Sequence, residues 1–279
     1  MNLGIVITDK SNRFAPIPLK GDLISCIKKA NSFGYKGVEI SVKDPEEIDA
    51  GKIKEIIEDL NMEVIALGTG QIYLEEGLSF SDADSEIRKK AVKNMKRFVD
   101  FSKYFNSPVI LGLIIGQIKD HFENINIKEY HERINECILE CLDYSNKYST
   151  NFLLEPINRY ETNIFNKVED ITNFIEGYFV EKNRERVGVL IDTFHMNIEE
   201  KDIYESIESN MKYIKHVHFA DSNRWPPGFG HLDFKTITKS LENIKYDKYI
   251  SFEMLPFPDE ENSAIIAIEN IKKVLTPNK

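Results

Sequence analysis

The sequence predicts a single (β/α)8 barrel, or TIM barrel, spanning residues 1–279 as one domain. Eight short apolar runs rich in β-branched residues alternate with eight amphipathic stretches. Runs that are almost wholly apolar are typical of parallel strands buried on both faces. No linker rich in Pro, Gly or Ser divides the 279 residues. This length suits a barrel that typically takes about 250 residues.

The eight strand–helix units can be placed in order along the chain. The predicted strands cover residues 3–7, 37–41, 63–70, 108–116, 151–156, 187–195, 214–221 and 249–254. The predicted helices cover residues 19–33, 51–60, about 85–104, 127–148, 168–178, 203–209, 234–241 and 260–275. A doubly wound open sheet is the alternative arrangement of this pattern. The segment GTG at 68–70 lacks the G-x-G-x-x-G spacing of a dinucleotide site, which disfavours that alternative.

The composition argues against several classes of protein. A formal net charge of −10 disfavours a non-specific nucleic-acid binder, because such proteins neutralise phosphates with Lys and Arg. The longest apolar run, residues 108–116, is far shorter than the ~20 residues that cross a bilayer. Three cysteines without a C-x-x-C pair indicate neither a disulfide framework nor a zinc ribbon. With no leader-like N-terminal pattern, we predict a cytoplasmic protein that contacts neither nucleic acid nor membrane.

Four side chains able to bind a metal stand late in four successive predicted strands. They are Glu155, Asp192, His218 and Glu253. In a barrel the carboxyl ends of the strands converge on the face that carries active sites. Three carboxylates in one place repel each other, and a divalent cation would compensate their charge. We therefore predict one divalent metal ion. Three oxygens and one imidazole suit Mn²⁺, Mg²⁺ or Co²⁺, with Zn²⁺ less favoured. Separate ion pairs at each strand end are the alternative.

The segment 215–234, KHVHFADSNRWPPGFGHLDF, is predicted to form the rim of this site. It begins as a strand and continues as a polar loop. Pro226 and Pro227 fix φ, whereas Gly228 and Gly230 allow the backbone to approach closely. A stiff loop of this kind after a strand is typical of an active-site rim.

Three further side chains are candidates for contact with a bound molecule: Glu161, His195 and Arg224. His195 stands at a junction of strand and loop, and Arg224 offers a planar set of donors suited to an oxygen-rich ligand. The alternatives are a histidine hydrogen-bonded within its loop and an arginine that is simply solvated.

The remaining histidines are interpreted as structural. His216 occupies the strand that carries His218, and we predict that it points to the opposite face of that strand. His121 and His131 fall in the loop and helix of the fourth unit, and His231 is expected to stabilise its loop.

Long segments of the sequence resemble one known family. Four segments carry the resemblance: LEPINRYETN (154–163), DTFHMNIEE (192–200), HFADSNRWPPGFGHLDF (218–234) and FEMLP (252–256). They resemble the sugar isomerase/epimerase branch of the xylose-isomerase-like TIM barrels. Within that branch the chain most resembles the D-tagatose and D-psicose 3-epimerases. The segments GTGQ-x-YL (68–74) and E-I-R-K-K-A (86–91) make it look closer still to the 5-keto-L-gluconate epimerases of inositol catabolism.

The resemblance implies roles for seven residues. It implies that the metal is bound by Glu155, Asp192, His218 and Glu253, the same set that the strand positions indicate. It also implies that the catalytic acid/base pair is Glu155 and Glu253. The substrate's terminal oxygens would be held by Glu161, His195 and Arg224.

We predict an epimerase that acts on a free ketose or keto-sugar acid, with 5-keto-L-gluconate favoured. The metal would polarise the keto group while one glutamate removes a proton from the neighbouring carbon and the other returns one to the opposite face, through an enediolate. The partner is then a small sugar or sugar acid, and the sequence is compatible with a homodimer or homotetramer. Lys119 and Arg159 are candidates for binding a substrate carboxylate.

Three other functions remain open. An aldose–ketose or hydroxypyruvate-type isomerase would use the same fold and metal but relocate the carbonyl group. An AP-endonuclease-like DNA-repair enzyme would need several metals and a basic surface, which the net charge of −10 disfavours. A non-catalytic sugar-binding barrel would not need two carboxylates opposed across a metal.

Overall fold

The computed structural model describes residues 1–10, 15–119 and 125–275. His121, interpreted from the sequence as structural, lies outside the described residues. The strands in chain order are β1 (Asn2–Thr8), β2 (Leu19–Lys20), β3 (Gly37–Ser41), β4 (Glu63–Gly68), β5 (Val109–Leu111), β6 (Phe152–Leu154), β7 (Val187–Asp192), β8 (Ile214–Phe219) and β9 (Tyr249–Phe252).

The α-helices surround these strands. They are α1 (Leu23–Phe33), α2 (Ala50–Asp59), α3 (Gly70–Glu76), α4 (Ser85–Ser102), α5 (Ile127–Ser145), α6 (Val168–Tyr178), α7 (Glu181–Arg184), α8 (Thr193–Glu199), α9 (Ile203–Ser209), α10 (Phe234–Asn243) and α11 (Glu260–Leu275). Short 3₁₀ turns cover Pro45–Glu47 and Leu113–Ile115. None of the helices in the described part of the chain is long and apolar enough to span a membrane.

Eight parallel strands close into a barrel, which confirms the predicted fold class. The sheet runs β2-β1-β3-β4-β5-β6-β7-β8-β9, and pairing of β1 with β9 closes it. The two-residue strand β2 pairs only alongside the end of β1, so the barrel itself has eight strands. The fold is a (β/α)8 TIM barrel.

The first predicted helix is wrong at its start. Residues 19–20 form β2, and α1 begins at Leu23 rather than Leu19. The Asp22 side chain caps the helix by accepting the Ser25 N–H at 2.8 Å. Gly21, with φ of +122°, turns the chain before that cap. A carboxylate cap and a left-handed glycine together fix the boundary.

Six predicted strands, those observed as β4 to β9, extend past the ends that the structure shows. Strand β4 ends at Gly68 and is followed by α3, and β5 ends at Leu111 and is followed by a 3₁₀ turn. Strand β7 ends at Asp192, so the next residues, including His195, belong to α8. The residues just after each of these strands are largely buried too. A short buried helix cannot be distinguished from a strand by its apolar residues alone.

Part of the barrel interior is filled by an apolar layer that lies beneath the polar cluster. Ala66, Ile110, Leu153 and Leu190 form a buried cluster inside the barrel, separate from the larger core beneath the helices. Side chains two positions apart on a strand point the same way. Glu155 and Asp192 therefore follow Leu153 and Leu190 into the interior, one layer nearer the carboxyl ends of the strands.

Candidate metal and substrate site

The structure brings the four predicted metal-binding residues together at the carboxyl ends of β6 to β9. Candidate ligand atoms lie within 4.8 Å of one another on Glu155, Asp192, His218 and Glu253. His218 Nδ1 is 3.7 Å from Glu155 Oε1 and 4.0 Å from Glu253 Oε2. The arrangement places three carboxylates around one imidazole nitrogen.

Three atoms of this cluster lack a partner. Glu155 Oε1, Asp192 Oδ2 and His218 Nδ1 are buried, and none has a hydrogen-bond partner in the described parts of the chain. The other oxygen of Asp192, Oδ1, accepts the Phe194 N–H at 2.8 Å and so caps α8. Unpartnered buried polar atoms are costly and rare in folded proteins. Their grouping around one point fits a bound cation.

A glycine makes room for one of these carboxylates. A Cβ at Gly112, just after β5, would lie 2.7 Å from Glu155 Oε2. Any larger residue would push the Glu155 side chain away from the cluster. Glycine at this position therefore leaves room for the Glu155 carboxylate close to the backbone.

Burial and neighbouring charges shift the pKa values of three residues in this cluster. Burial, reinforced by the nearby Glu155, raises the pKa of Asp192 to about 7 and that of Glu253 to about 8. Burial opposes the charged form of His218, but Glu39 and the neighbouring carboxylates outweigh it and raise its pKa well above its usual value. A divalent cation inverts this balance by favouring carboxylates and a free imidazole nitrogen.

Glu39 was not predicted as a site residue. It lies on β3, is 1% exposed, and its Oε2 stands 2.8 Å from His218 Nε2 and 3.0 Å from His216 Nε2. The prediction that His216 points away from His218 is wrong, because residues two apart on a strand share a face. A lone carboxylate within the apolar run GVEIS was the signal that could have found Glu39.

Arg224 is partly buried and points into the site. Nη1 donates to Glu161 Oε1 at 3.0 Å and Nη2 donates to Glu253 Oε2 at 3.1 Å, with 16% of the Arg224 side chain exposed. Its guanidinium also lies 4.8 Å from the ring centroid of Phe194. The alternative of a solvated loop arginine therefore does not hold.

His195 is a buried, neutral imidazole. Burial, with the positive charges of Arg224 and His218, lowers its pKa well below the usual value. Its Nδ1 is 2.7 Å from Asn158 Nδ2, and the same amide nitrogen donates to Glu161 Oε1 at 2.9 Å. Because an amide nitrogen only donates, His195 Nδ1 accepts and the ring proton lies on Nε2. Asn158 is a second residue that the sequence did not single out.

Six of the seven predicted site residues line one cavity of about 300 Å³, and Asp192 lies beneath it, fully buried. Arg224 is the one Lys or Arg among its described lining residues. Lys119 pairs with Asp82 at 2.7 Å, and Arg159 with Glu199 at 2.8 Å. Neither lines the cavity, so the structure places neither of these candidates for carboxylate binding in the site.

A closed (β/α)8 barrel with a buried carboxylate–imidazole cluster at the carboxyl ends of its strands defines a class of metal-binding barrels. The chain belongs to the xylose isomerase-like TIM barrel family, whose model matches residues 27–274. It is similar to a ketose 3-epimerase from Arthrobacter globiformis, with 27% identity over 81% of this chain and 75% of that protein.

Two solved structures show the same fold. The 3-keto-D-glucoside 4-epimerase from E. coli superposes with a TM-score of 0.81 at 19% identity, covering 98% of this chain and 99% of that one. The D-allulose 3-epimerase from Methylomonas sp. in complex with D-allulose superposes with a TM-score of 0.79 at 23% identity, covering 98% of this chain and 96% of that one. The prediction of an enzyme of the epimerase/isomerase class is confirmed, because the homologues are epimerases and isomerases of this superfamily.

Proposed function

We propose that this protein is a divalent-metal-dependent epimerase acting on a free ketose or keto-sugar acid. The observation that carries the proposal is the placement of two carboxylates, Glu155 and Glu253, at 3.7 and 4.0 Å from the same imidazole nitrogen of His218. Inversion at a carbon needs a proton acceptor on one face and a donor on the other. Two carboxylates from different strands meet that need.

The metal would be held by Glu155, Asp192, His218 and Glu253. When bound, a divalent cation polarises a keto group and stabilises the negative charge that develops on its oxygen. The unpartnered atoms on three of these residues support this assignment.

Glu155 and Glu253 would exchange the proton on the carbon next to the carbonyl group. Each carboxylate has two oxygens, so one can face the metal while the other handles the proton. Glu253 Oε2 is held by Arg224 at 3.1 Å, which limits its rotation.

Glu161, His195 and Arg224 would position the substrate. His195 lines the cavity and carries its ring proton on Nε2, because Asn158 occupies its other nitrogen. Glu161 Oε1 accepts from both Asn158 and Arg224, which orients its carboxylate. These groups supply donors and acceptors matched to the hydroxyl groups of a sugar.

Two substrate types compete within this proposal. Similarity of the segments 68–74 and 86–91 to the 5-keto-L-gluconate epimerases supports that keto-acid as substrate. The charge of the cavity favours a neutral ketose, because Arg224 is its one described Lys or Arg and already pairs with two carboxylates. The names of the relatives, a ketose 3-epimerase among them, also support a neutral ketose.

The proposal is tested by incubating the Mn²⁺-loaded protein in D₂O with 5-keto-L-gluconate, D-tagatose or D-fructose and monitoring the products by NMR. We expect deuterium at a carbon next to the ketone, with that centre inverted. Glu253→Gln and Glu155→Gln should lose turnover, and Glu253→Gln with full turnover contradicts the two-glutamate assignment. A relocated carbonyl group would make the protein an isomerase. Absence of exchange with all three substrates overturns the proposal for them.

The sequence supports the other features of the proposal. We propose Mn²⁺ as the metal, a role in inositol catabolism, a cytoplasmic location, no nucleic-acid or membrane partner, and one domain over residues 1–279. Three buried, free cysteines are in keeping with a reducing compartment. A homodimer or homotetramer stays a prediction, which light scattering would test.

A further inference from the structure

Glu39 joins two histidines of β8 from the opposite side of the barrel interior. Its Oε2 is 2.8 Å from His218 Nε2 and 3.0 Å from His216 Nε2, and all three side chains are at most 4% exposed. Nitrogen–oxygen separations of this length are those of hydrogen bonds. A carboxylate oxygen can only accept, so both imidazoles donate Nε2–H to Glu39.

The charge state of Glu39 agrees with its role as an acceptor. Burial raises the pKa of this carboxyl group, but His218 and His216 outweigh burial and lower it to about 2. A charged acceptor makes a stronger hydrogen bond to each imidazole than a neutral one would.

The bond from His218 Nε2 to Glu39 decides what the other nitrogen of that ring can do. Nε2 keeps its proton, so Nδ1 is the nitrogen left to bind a cation. His218 Nδ1 is also the atom that lies 3.7 Å from Glu155 Oε1 and lacks a partner among the described residues. One imidazole thus faces a carboxylate with Nε2 and the candidate metal site with Nδ1.

Two irregularities in strand pairing place these side chains. Between β3 and β4, Val38 pairs with Val64 but Glu39 pairs with Ala66, which leaves Ile65 as an extra residue. Between β7 and β8, Val189 pairs with Ile214 but Leu190 pairs with His216, which leaves Lys215 extra. An extra residue of this kind, a β-bulge, changes the direction in which the neighbouring side chains point.

Glu39, His216 and His218 could themselves hold a cation, since their ligand atoms are also close together. Hydrogen bonding accounts for them better. Their three facing atoms, Glu39 Oε2 and the two Nε2 atoms, already satisfy one another. The unpartnered nitrogen of His218 lies on the other side of the ring. Glu39 and His216 therefore form a layer behind the candidate metal site.

We propose that Glu39 is a positioning residue of this site. It holds the His218 ring by its Nε2–H so that Nδ1 faces the metal, and His216 fixes Glu39 from behind. This inference rests on the proposed metal-dependent function. Carboxylates that orient a metal-binding histidine generally change metal affinity about 10–100-fold when they are removed.

The test measures Mn²⁺ affinity of the full chain by calorimetry for wild type, Glu39→Gln and Glu39→Ala. We expect a graded loss of Mn²⁺ affinity. The Kd should be about 10-fold weaker for Glu39→Gln, because its amide oxygen is still an acceptor but carries no charge. It should be up to about 100-fold weaker for Glu39→Ala. Ser102→Ala is the matched control. Ser102 is a buried hydroxyl 2.9 Å from Thr150 Oγ1, away from the site, and its loss should lower stability without changing Kd.

A second measurement uses only the wild-type protein, so it does not depend on whether a variant folds. NMR of ¹⁵N-histidine-labelled wild type should show a proton on His218 Nε2 both without metal and after addition of Zn²⁺, with the metal-induced shift at Nδ1. Zn²⁺ bound to Nε2, or an Nε2 without a proton, overturns the proposal. An unchanged Kd in Glu39→Ala overturns it as well.

The two measurements separate this inference from the proposed function. Wild type that binds no Mn²⁺ contradicts the proposed function, and the protonation of Nε2 in the metal-free protein still tests the role of Glu39. Wild type that binds Mn²⁺ while the Glu39 variants bind it equally well contradicts this inference alone.

Discussion

Arg224 donates from Nη2 to Glu253 Oε2 at 3.1 Å, which ties the loop after β8 to the end of β9. A second link reinforces this one, since the Leu255 N–H donates to the Arg224 carbonyl at 2.7 Å. Arg224 has a φ of +60°, a backbone conformation that residues other than glycine rarely adopt. The loop therefore holds this arginine in a strained backbone conformation that aims its guanidinium at two carboxylates.

Replacing Arg224 with Lys should lower kcat/KM about 10–100-fold. Lysine keeps the positive charge but cannot donate to Glu161 and Glu253 at once. A hydrogen bond to a charged group contributes about 1.5–3 kcal/mol, which corresponds to that loss of rate. Steady-state kinetics on the substrate identified by NMR would measure it. Arg97→Lys, on the surface pair with Asp44, is the control and should keep full activity. Full activity in Arg224→Lys would contradict the role proposed for this residue.

Asp221 organises the loop that carries Arg224. This carboxylate is fully buried and accepts backbone N–H groups of Ser222 at 2.8 Å, Gly228 at 2.7 Å and Leu232 at 3.1 Å. Three backbone donors that converge on one carboxylate stabilise the loop.

Asp221→Asn should weaken substrate binding and leave metal affinity unchanged. One carboxylate oxygen becomes an amide nitrogen that faces a backbone donor, so at least one N–H loses its acceptor. A buried unsatisfied group costs about 1–3 kcal/mol, and we expect a loss of unfolding free energy in that range together with a raised KM. Urea denaturation, kinetics and Mn²⁺ calorimetry measure the three effects. A weakened Kd for Mn²⁺ would show that Asp221 acts on the metal site as well.

Metal affinity should rise with pH between about 6 and 8. The pKa values of Asp192, about 7, and Glu253, about 8, are raised by burial and by Glu155. The metal-free site therefore binds protons at pH 6 that a cation must displace, and fewer of them at pH 8. Each displaced proton makes Kd up to about tenfold weaker per unit of falling pH. Calorimetry in buffers of different ionisation enthalpy counts the released protons. A Kd independent of pH would contradict these shifts.

The sequence predicted those parts of the site that depend on position along the strands. Glu155, Asp192, His218 and Glu253 are polar residues near the ends of apolar runs, and in a closed barrel such ends meet. Glu39 could not be assigned in the same way. It sits mid-strand, and its partners on β8 become its neighbours only when β3 and β8 face each other across the closed barrel.

Asn158 shows a related limit of sequence reasoning. A buried loop asparagine has many possible partners, and only the fold brings its amide within reach of both His195 and Glu161. The predicted strands extend too far for a different reason. Burial continues from β7 into α8, so the residues from Thr193 onwards show no change of pattern where the strand stops.

Leu190→Ala should lower the free energy of unfolding by about 2–5 kcal/mol. Leu190 is fully buried in the interior cluster with Ala66, Ile110 and Leu153, directly beneath Asp192 on β7. Loss of its side chain removes buried apolar surface and leaves a cavity that a closed ring of strands cannot collapse to fill. Leu74→Ala is the matched control, since Leu74 is 61% exposed and should change stability by no more than about 0.5 kcal/mol. Urea denaturation measures the free energy of unfolding of both variants, and an unchanged m-value shows that the difference is one of stability. Equal losses in both variants would contradict the assignment of a separate packed layer inside the barrel.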